Sequence, residues 1–173
     1  MTHPSPQPLR VLILCTGNSA RSQIAEALFN QMGRGRFVAE SAGSHPAAQV
    51  HPLAVETLRE AGIDWTGRHP RGLDGLAARP WDFIITVCDR AREACPFFPG
   101  QPVQAHWGMP DPAAVEGDEA HRRAAFFDTA TLLRRRISLF LSLPMDKLEK
   151  LALAGRVQAI GQVQLDQPAT PGG

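Results

Sequence analysis

The sequence predicts an α/β protein of three layers, in which helices flank a mainly parallel, doubly wound sheet. Two observations support this prediction: short apolar runs alternate along the chain with segments of helical spacing, and turn residues separate them. The chain has 173 residues, which is enough for one domain with a hydrophobic core. We expect a loose, flexible tail at residues 1–9, a main domain at 10–143, and a C-terminal helix with a frayed end at 144–173.

The first half of the chain contains two predicted strand–helix pairs. Residues 10–14 form a strand buried on both faces, because its last four residues are β-branched or leucine. Residues 23–32 form a helix, since apolar side chains recur on one of its sides. A second short strand at 36–41 and a helix at 51–61, which Gly62 ends, follow in the same order.

The second half of the chain completes the predicted sheet. A loop or broken helical turn at 69–80 leads to a strand at 83–87, which is almost entirely apolar. A last short strand is predicted at 103–107. Apolar residues at helical spacing then predict a long helix at 118–143, and the segment 145–158 is again helical. This order places the carboxyl ends of the strands, where ligands bind in such folds, at one edge of the sheet.

The charge and the apolar content exclude several functions. A formal net charge of +1 gives no general attraction to nucleic acid or to a membrane surface. The polar, proline-rich opening lacks the apolar core of a signal peptide, and the longest apolar stretch, near 139–143, is too short to cross a bilayer. The three cysteines, an odd number, argue against a permanent disulfide framework. We therefore expect a cytoplasmic protein that binds neither nucleic acid nor a membrane.

The strongest functional signal is the segment 15–22, Cys-Thr-Gly-Asn-Ser-Ala-Arg-Ser, between the first strand and the first helix. The first N–H groups of a helix lack partners within it, and a tight turn at Gly17 lets them face an anion. Arg21 adds a planar set of donors that can hold two oxygens. The helix end and Arg21 are also expected to lower the pKa of Cys15, so that its thiolate is a nucleophile at neutral pH.

These features predict a binding site for a tetrahedral oxyanion with Cys15 at its base. The residues assigned to oxyanion binding are Thr16, Gly17, Asn18, Ser19, Ala20, Arg21 and Ser22. The alternative is a buried structural cysteine followed by an ordinary helix cap. The order of glycine, asparagine, serine and arginine after a buried strand favours the functional interpretation.

A second part of the site is predicted at Asp111, which lies between Pro110 and Pro112 after the last strand. The prolines stiffen the loop, and a carboxylic acid held there can protonate the oxygen that a thiolate displaces. Because Cys15, Cys88 and Asp111 each follow a strand, we expect them at one edge of the sheet. The alternative is a solvated aspartate in a turn, and the neighbouring oxyanion loop makes the catalytic role the better interpretation.

Cys88 and Cys95 lie seven residues apart in a segment rich in charge, which we expect to be an exposed turn or short helix. On an intact helix their Cα atoms would be about 10 Å apart, whereas a disulfide needs about 7 Å or less. The segment must therefore bend or unwind if the two cysteines pair. Arg90 and Arg92 can lower the pKa of a neighbouring thiol. The alternative is two unrelated core cysteines.

With these residues the chain resembles the thioredoxin-coupled arsenate reductases, which share the fold of the low-molecular-weight protein tyrosine phosphatases. The matching segments are 14–22, 40–43, 86–89, 93–96 and 106–112. The resemblance implies a phosphatase-like catalytic domain at 10–143 and an enzyme that reduces arsenate to arsenite, with phosphate or sulfate as mimics of the substrate. One departure is Ala20, where many such reductases carry another cysteine.

The resemblance also implies a role for each catalytic residue. Cys15 attacks arsenate that the loop and Arg21 hold, and Asp111 protonates the departing oxygen. Cys88 then attacks the sulfur of Cys15, which releases arsenite and leaves a Cys15–Cys88 disulfide. Cys95 attacks Cys88 in turn, and thioredoxin or a similar dithiol protein reduces the Cys88–Cys95 bridge. No tightly bound cofactor is implied.

Some relatives bind potassium close to the loop, so the resemblance allows a potassium site near Asn18, Glu26 and Ser41. No other metal site is expected. Asn18 also matches the family position that steadies the loop by hydrogen bonds.

Two other functions remain open. A phosphatase for phosphotyrosine or small phosphate esters would use Cys15, Arg21 and Asp111 equally well, through a phosphocysteine that water hydrolyses. Against it, Ala113 stands where the tyrosine phosphatases of this fold usually carry an aromatic residue, and a phosphatase has no need of two further cysteines. A metalloid sensor would bind arsenite through three thiols, but its oxyanion loop would then have no role.

Overall fold

A parallel sheet with flanking helices forms the fold. The computed structural model describes residues 6–147 and 149–165. Within them the strands are β1 (Leu9–Cys15), β2 (Phe37–Gly43), β3 (Phe83–Thr86) and β4 (Val103–His106). The helices are α1 (Arg21–Gly33), α2 (Pro52–Glu60), α3 (Asp89–Glu93), α4 (Glu119–Leu141) and α5 (Lys150–Ile160), with 3₁₀ turns at Leu76–Ala78 and Pro112–Ala114. The order of the strands is β2-β1-β3-β4, and all neighbours are parallel.

The α/β fold predicted from the sequence is confirmed, with adjustments at the ends of elements. β1 reaches Cys15, so this cysteine is the last residue of the strand. α1 begins earlier than predicted, at Arg21, and α5 begins later, at Lys150. Asp118 is the N-cap of α4, because its carboxylate accepts the N–H of His121 at 2.9 Å.

Parts of the predicted termini lie outside the described residues. These parts are 1–5 of the predicted tail, Leu148 of the predicted last helix, and 166–173 of the predicted frayed end. The division into tail, main domain and C-terminal part stays a prediction. In the described part of the chain, no helix combines the length and the apolar character needed to span a membrane.

Buried aromatic side chains hold the helices on the sheet. The ring of Phe140 in α4 meets the rings of Phe83, Phe37 and Phe29 edge to face, at centroid distances of 4.9, 5.2 and 5.3 Å. Each such contact adds about 0.5–1.5 kcal/mol beyond the burial of the rings. These contacts join α1 and α4 to β2 and β3. The sheet and its flanking helices therefore form one closely packed unit.

The helix α5 lies against the edge strand β4. The side-chain oxygen of Gln158 accepts the N–H of His106 at 2.8 Å, and the indole of Trp107 donates to the carbonyl of Val157 at 2.9 Å. A Cβ at Gly161 would lie 2.2 Å from the carbonyl oxygen of His106, so only glycine allows this approach. The helix therefore packs on the domain and covers the open edge of the sheet.

Arg136 of α4 ties this C-terminal segment to the loop after β4. The residue is fully buried, and its Nη1 donates to the carbonyls of Trp107 and Gly108, both at 3.1 Å. Its Nε and Nη2 donate to the carbonyl of Val163 at 3.2 and 3.1 Å. Burial among these carbonyls lowers the pKa of Arg136 to about 10. The loop that carries Asp111 is therefore fixed at its start.

Candidate active site

An open cavity of about 390 Å³ lies beyond the carboxyl ends of β1 and β3. Its lining residues are Cys15, Thr16, Gly17, Asn18, Ser19, Ala20, Arg21, Cys88, Asp89, Arg90 and Asp111. The structure therefore brings together the three regions that the sequence predicted to meet: the loop after β1, the cysteine after β3 and the aspartate after β4.

The carbonyl groups of the loop are held by the segment that follows β2. The carbonyls of Thr16, Gly17 and Ser19 accept N–H groups from residues 45–51 at 2.8–2.9 Å. Within the described residues, the N–H groups of 16–20 donate to no backbone carbonyl outside the regular elements. N–H donors that no backbone carbonyl occupies, beside a cavity, are what the binding of an oxyanion requires.

Gly43, the last residue of β2, allows the loop to lie close to the sheet. A Cβ at Gly43 would lie 2.3 Å from the carbonyl oxygen of Thr16 and 2.9 Å from the backbone nitrogen of Asn18. Any other residue would displace the loop. The sequence placed Gly43 at the end of a strand but did not indicate this contact, which depends on β1 and β2 being neighbours.

Asn18 fixes the loop through the hydrogen bonds of its side chain. It is fully buried and has a φ of 50°, which asparagine tolerates better than most residues. Its Nδ2 donates to the hydroxyls of Ser22 and Ser41, both at 2.8 Å. Its Oδ1 accepts Nε2 of Gln23 at 3.0 Å and the N–H of Arg71 at 2.8 Å. The side-chain amide therefore makes all four hydrogen bonds that it can make.

Ser22 has a different place from the one predicted. It is fully buried, its hydroxyl accepts a hydrogen bond from Asn18, and it does not line the cavity. Ser22 therefore supports the shape of the loop, whereas the residues from Thr16 to Arg21 line the cavity.

Arg21 and Asp111 face the same cavity as Cys15. Nη2 of Arg21 lies 3.8 Å from the carboxylate of Asp111, and its Nη1 donates to the carbonyl of Met109 at 3.1 Å. The Asp111 carboxylate also accepts the N–H of Ala113 at 3.0 Å. Its side chain is 43% exposed, so it is held in place while it remains in contact with solvent.

The side chains of Cys15 and Cys88 line the same cavity, and both residues are buried. The interaction with the Cys88 thiol and burial raise the pKa of Cys15, while the guanidinium of Arg21 opposes the rise. The same interaction lowers the pKa of Cys88 to about 5, against the effect of burial. The hydroxyl of Thr16 at 3.3 Å and the N–H of Ala91 at 3.4 Å also stabilise the Cys88 anion. The two thiols therefore titrate as a pair, and the first ionisation belongs to both sulfurs together.

The prediction that Cys15 itself has a lowered pKa is therefore wrong. The helix end and Arg21 are present as expected, but the second sulfur has a larger effect than either.

Cys95 follows α3 and is half-buried. It borders a small cavity of about 10 Å³ that Cys15 and Ala91 also line, and its sulfur lies 3.7 Å from the carbonyl of Pro96. Burial raises the pKa of Cys95, so the neighbouring arginines do not activate it. The expected exposure of this segment holds for its charged side chains, whereas Cys88 is buried and Cys95 is half-buried.

A histidine that the sequence alone did not single out anchors α3. His106 contacts the hydroxyl of Thr86 through Nδ1 at 2.7 Å and the carboxylate of Asp89 through Nε2 at 3.0 Å. Thr86 is its register partner in β3, and Asp89 is the first residue of α3. The sequence feature that could have identified His106 is its position at the end of the last strand, the edge of the sheet where the other site residues lie.

The residues named for potassium are engaged with protein partners. Glu26 is buried, and its Oε1 accepts Nη2 of Arg71 at 2.7 Å and the N–H of Ser41 at 3.0 Å. The Oδ1 of Asn18 likewise accepts two N–H groups. Oε1 of Glu26 and Oδ1 of Asn18 therefore each accept two hydrogen bonds, which leaves neither oxygen a lone pair for a potassium ion. Among residues 6–147 and 149–165, no three His, Cys, Asp or Glu side chains form a metal-binding group.

Sequence comparison places these features among known proteins. The family model described as low molecular weight phosphotyrosine protein phosphatase matches residues 10–151, so most of α5 lies beyond it. An arsenate reductase from Halalkalibacterium halodurans is 34% identical over 130 residues, which make up 75% of this chain and 93% of that protein.

Two solved structures extend the comparison. An arsenate reductase from Archaeoglobus fulgidus has a TM-score of 0.56 and 30% identity, and the match covers 74% of this chain and 98% of that one. A thioredoxin-dependent arsenate reductase from Corynebacterium glutamicum has a TM-score of 0.56 and 29% identity, and the match covers 79% of this chain and 65% of that one.

Proposed function

We propose that this chain, which belongs to the low molecular weight phosphotyrosine protein phosphatase family, is an arsenate reductase that works through Cys15, Cys88 and Cys95. One observation carries the proposal: a second thiol, that of Cys88, lines the oxyanion cavity together with the thiol of Cys15. One sulfur is enough to hydrolyse a phosphate ester, whereas the reduction of arsenate needs two sulfurs that can join. The similarity to arsenate reductases at 34% and 30% identity supports the same conclusion.

The first step is the attack of Cys15 on arsenate. The N–H groups of 16–20 and the guanidinium of Arg21 hold the tetrahedral oxyanion. The proton of Cys15 passes to the neighbouring Cys88, and the Cys15 thiolate attacks arsenic. Asp111 protonates the hydroxide that leaves, which departs as water. The product is an arsenic(V)–sulfur ester on Cys15.

Cys88 then takes part in the redox step. After it loses the proton that it received, its thiolate attacks the sulfur of Cys15. The sulfur–sulfur bond forms while the arsenic–sulfur bond breaks, and the bonding pair stays on arsenic. Arsenic gains two electrons and leaves as arsenite, and the two sulfurs are oxidised to a disulfide. Because Cys15 and Cys88 line the same cavity, the attacking sulfur is close to its target.

Cys95 completes the cycle by attacking Cys88, which frees Cys15. Cys88 is the N-cap of α3 and Cys95 follows its C-cap Ala94, so α3 must unwind before the two sulfurs can meet. An unwound α3 exposes the Cys88–Cys95 bridge, which thioredoxin or a similar dithiol protein reduces. No tightly bound cofactor takes part, and a cycle of free thiols suits the cytoplasm.

The proposal is tested by the oxidation of NADPH in an assay that contains arsenate, thioredoxin and thioredoxin reductase. We expect many arsenate-dependent turnovers per chain, with one arsenite formed for each NADPH consumed. An aryl phosphate is assayed in parallel without thioredoxin, and its hydrolysis should be slower. Rapid ester hydrolysis with no arsenate-dependent oxidation of NADPH would instead identify a phosphatase.

A phosphatase for phosphotyrosine or a small phosphate ester is the second candidate. Cys15, Arg21 and Asp111 lie in one cavity, and the same three groups suit phosphoryl transfer. The aspartate is followed by Pro112 and Ala113, which offer no aromatic ring to stack on a tyrosyl substrate. We therefore propose ester hydrolysis as a slow side activity.

Asp111→Asn is expected to slow the first chemical step by about 100-fold or more, because an amide has no acidic proton to donate. The rate is measured as the release of arsenite in a single turnover of the reduced protein. Asp118→Asn is the matched control, since Asp118 also accepts a backbone N–H at the start of a helix but does not line the cavity. An unchanged single-turnover rate in Asp111→Asn would remove this residue from the mechanism.

A further inference from the structure

We propose that Arg71 is a positioning residue for the oxyanion loop. Its guanidinium is the positive partner of the buried Glu26 carboxylate, which would otherwise need a metal ion in that role. Arg71 lies in the segment between α2 and β3 and does not line the cavity. The proposal rests on the proposed oxyanion-binding role of the loop, but it does not depend on the reduction of arsenate.

The backbone of Arg71 joins the two residues that determine the position of the loop. Its N–H donates to Oδ1 of Asn18 at 2.8 Å, and its carbonyl accepts the N–H of Gly43 at 2.8 Å. The side chain of Asn18 holds the loop by hydrogen bonds, and Gly43 permits the close approach of the loop to β2. A displacement of Arg71 is therefore transmitted to both.

The side chain of Arg71 neutralises a buried carboxylate next to the same loop. The Glu26 side chain is 5% exposed, and its Oε1 accepts Nη2 of Arg71 at 2.7 Å. The same oxygen accepts the N–H of Ser41, and the hydroxyl of Ser41 accepts Nδ2 of Asn18. A buried carboxylate without an opposite charge is strongly destabilising. Loss of the guanidinium would therefore disturb α1 and β2 at the point where both contact the loop.

Arg71 also contacts Glu40, but two other arginines already neutralise that carboxylate. The carboxylate of Glu40 lies 3.2 Å from Nη1 of Arg71, 2.5 Å from Arg79 and 3.1 Å from Arg10. Among the ion pairs of the described residues, Glu26 is paired with Arg71 alone. Arg79 is therefore a matched control: it contacts the same acidic cluster as Arg71 without touching Glu26 or Asn18.

The experiment compares the parent protein with Arg71→Met, Arg71→Lys and Arg79→Met in potassium chloride and in choline chloride at equal ionic strength. Two quantities are measured: the midpoint of thermal unfolding, and its increase when inorganic phosphate is added as a mimic of the oxyanion. Neither quantity requires catalysis, so a failure of the reductase assignment would leave the result intact.

We expect the parent protein to give the same values in both salts. Arg71→Met should unfold on the order of 5 °C lower in choline chloride and lose most of the stabilisation by phosphate. Potassium should restore part of both values, because it can take the place of the missing charge. Arg71→Lys should retain both values in either salt, and Arg79→Met should bind phosphate like the parent.

Three results would overturn the proposal. The first is a parent protein that potassium stabilises more than choline, since a free ion would then already occupy the site. The second is an Arg71→Met variant that behaves like Arg79→Met, or whose loss potassium does not restore. The third is an Arg71→Lys variant that folds but no longer gains stability from phosphate. The first and third results remain decisive even if Arg71→Met does not fold.

Discussion

Cys15→Ser should abolish both the reduction of arsenate and the hydrolysis of phosphate esters, with each rate falling by about 10⁴-fold or more. A serine hydroxyl is not ionised near neutral pH, so the loop loses its attacking anion while its shape is kept. Arg21 and the N–H groups of 16–20 remain, so phosphate should still stabilise the variant against thermal unfolding. The rates are measured with the coupled NADPH assay and with an aryl phosphate.

The structure also identifies the residue that could make this prediction fail. Cys88 lines the same cavity and has the lower pKa of the two thiols, so it is the other possible nucleophile. Ester hydrolysis that survives in Cys15→Ser but disappears in the double variant with Cys88→Ser would assign the attack to Cys88. The loop argues against that outcome, since the strand–helix turn that presents its N–H groups begins directly after Cys15.

The fold and the loop could be predicted from the sequence because both depend on local patterns. The apolar runs of β1 and β3 indicate buried parallel strands, and the alternation of strands and helices brings their carboxyl ends to one edge. The segment 15–22 combines a nucleophile, a turn residue and a guanidinium within one strand–helix junction. Asp111 could be added because it follows the last strand.

The remaining features depend on contacts between residues far apart in the sequence. The hydroxyl of Thr16 and the sulfur of Cys88 meet across 72 positions, and the N–H of Arg71 reaches the side chain of Asn18 across 53. Such contacts require knowledge of which strands are neighbours and how closely they pack. The pKa of Cys15 was predicted wrongly for this reason, since its largest influence comes from a sulfur after a different strand.

Cys88→Ser and Cys95→Ser should separate the thiol cycle into its steps. With thioredoxin present, both variants should lose sustained arsenate reduction, because each lacks a sulfur that the cycle needs. In a single turnover, Cys95→Ser should still release one arsenite per chain and stop as a Cys15–Cys88 disulfide. Cys88→Ser should release none. Arsenite is measured directly, and the remaining thiols are counted by mass spectrometry after alkylation.

Hydrolysis of an aryl phosphate provides the control for both variants, since it requires only Cys15, Arg21 and Asp111. Cys95→Ser should keep the rate and the pH dependence of the parent. In Cys88→Ser the thiol whose interaction raises the pKa of Cys15 is replaced by a hydroxyl that can donate to the Cys15 thiolate. The pKa of Cys15 should therefore fall, and ester hydrolysis should persist with its pH profile displaced to lower pH.

This displacement makes the two variants distinguishable even where both have lost reduction. A Cys88→Ser variant with the pH profile of the parent would show that the two sulfurs do not interact before the reaction, which contradicts the arrangement on which the redox step depends. Sustained reduction by either variant at the parent rate would contradict the thiol cycle itself. A displaced pH profile in Cys88→Ser would show that Cys88 interacts directly with Cys15. Release of one arsenite by Cys95→Ser would assign Cys95 to the later disulfide exchange. Only Cys88 would then affect both the ionisation of the nucleophile and the transfer of electrons to arsenic.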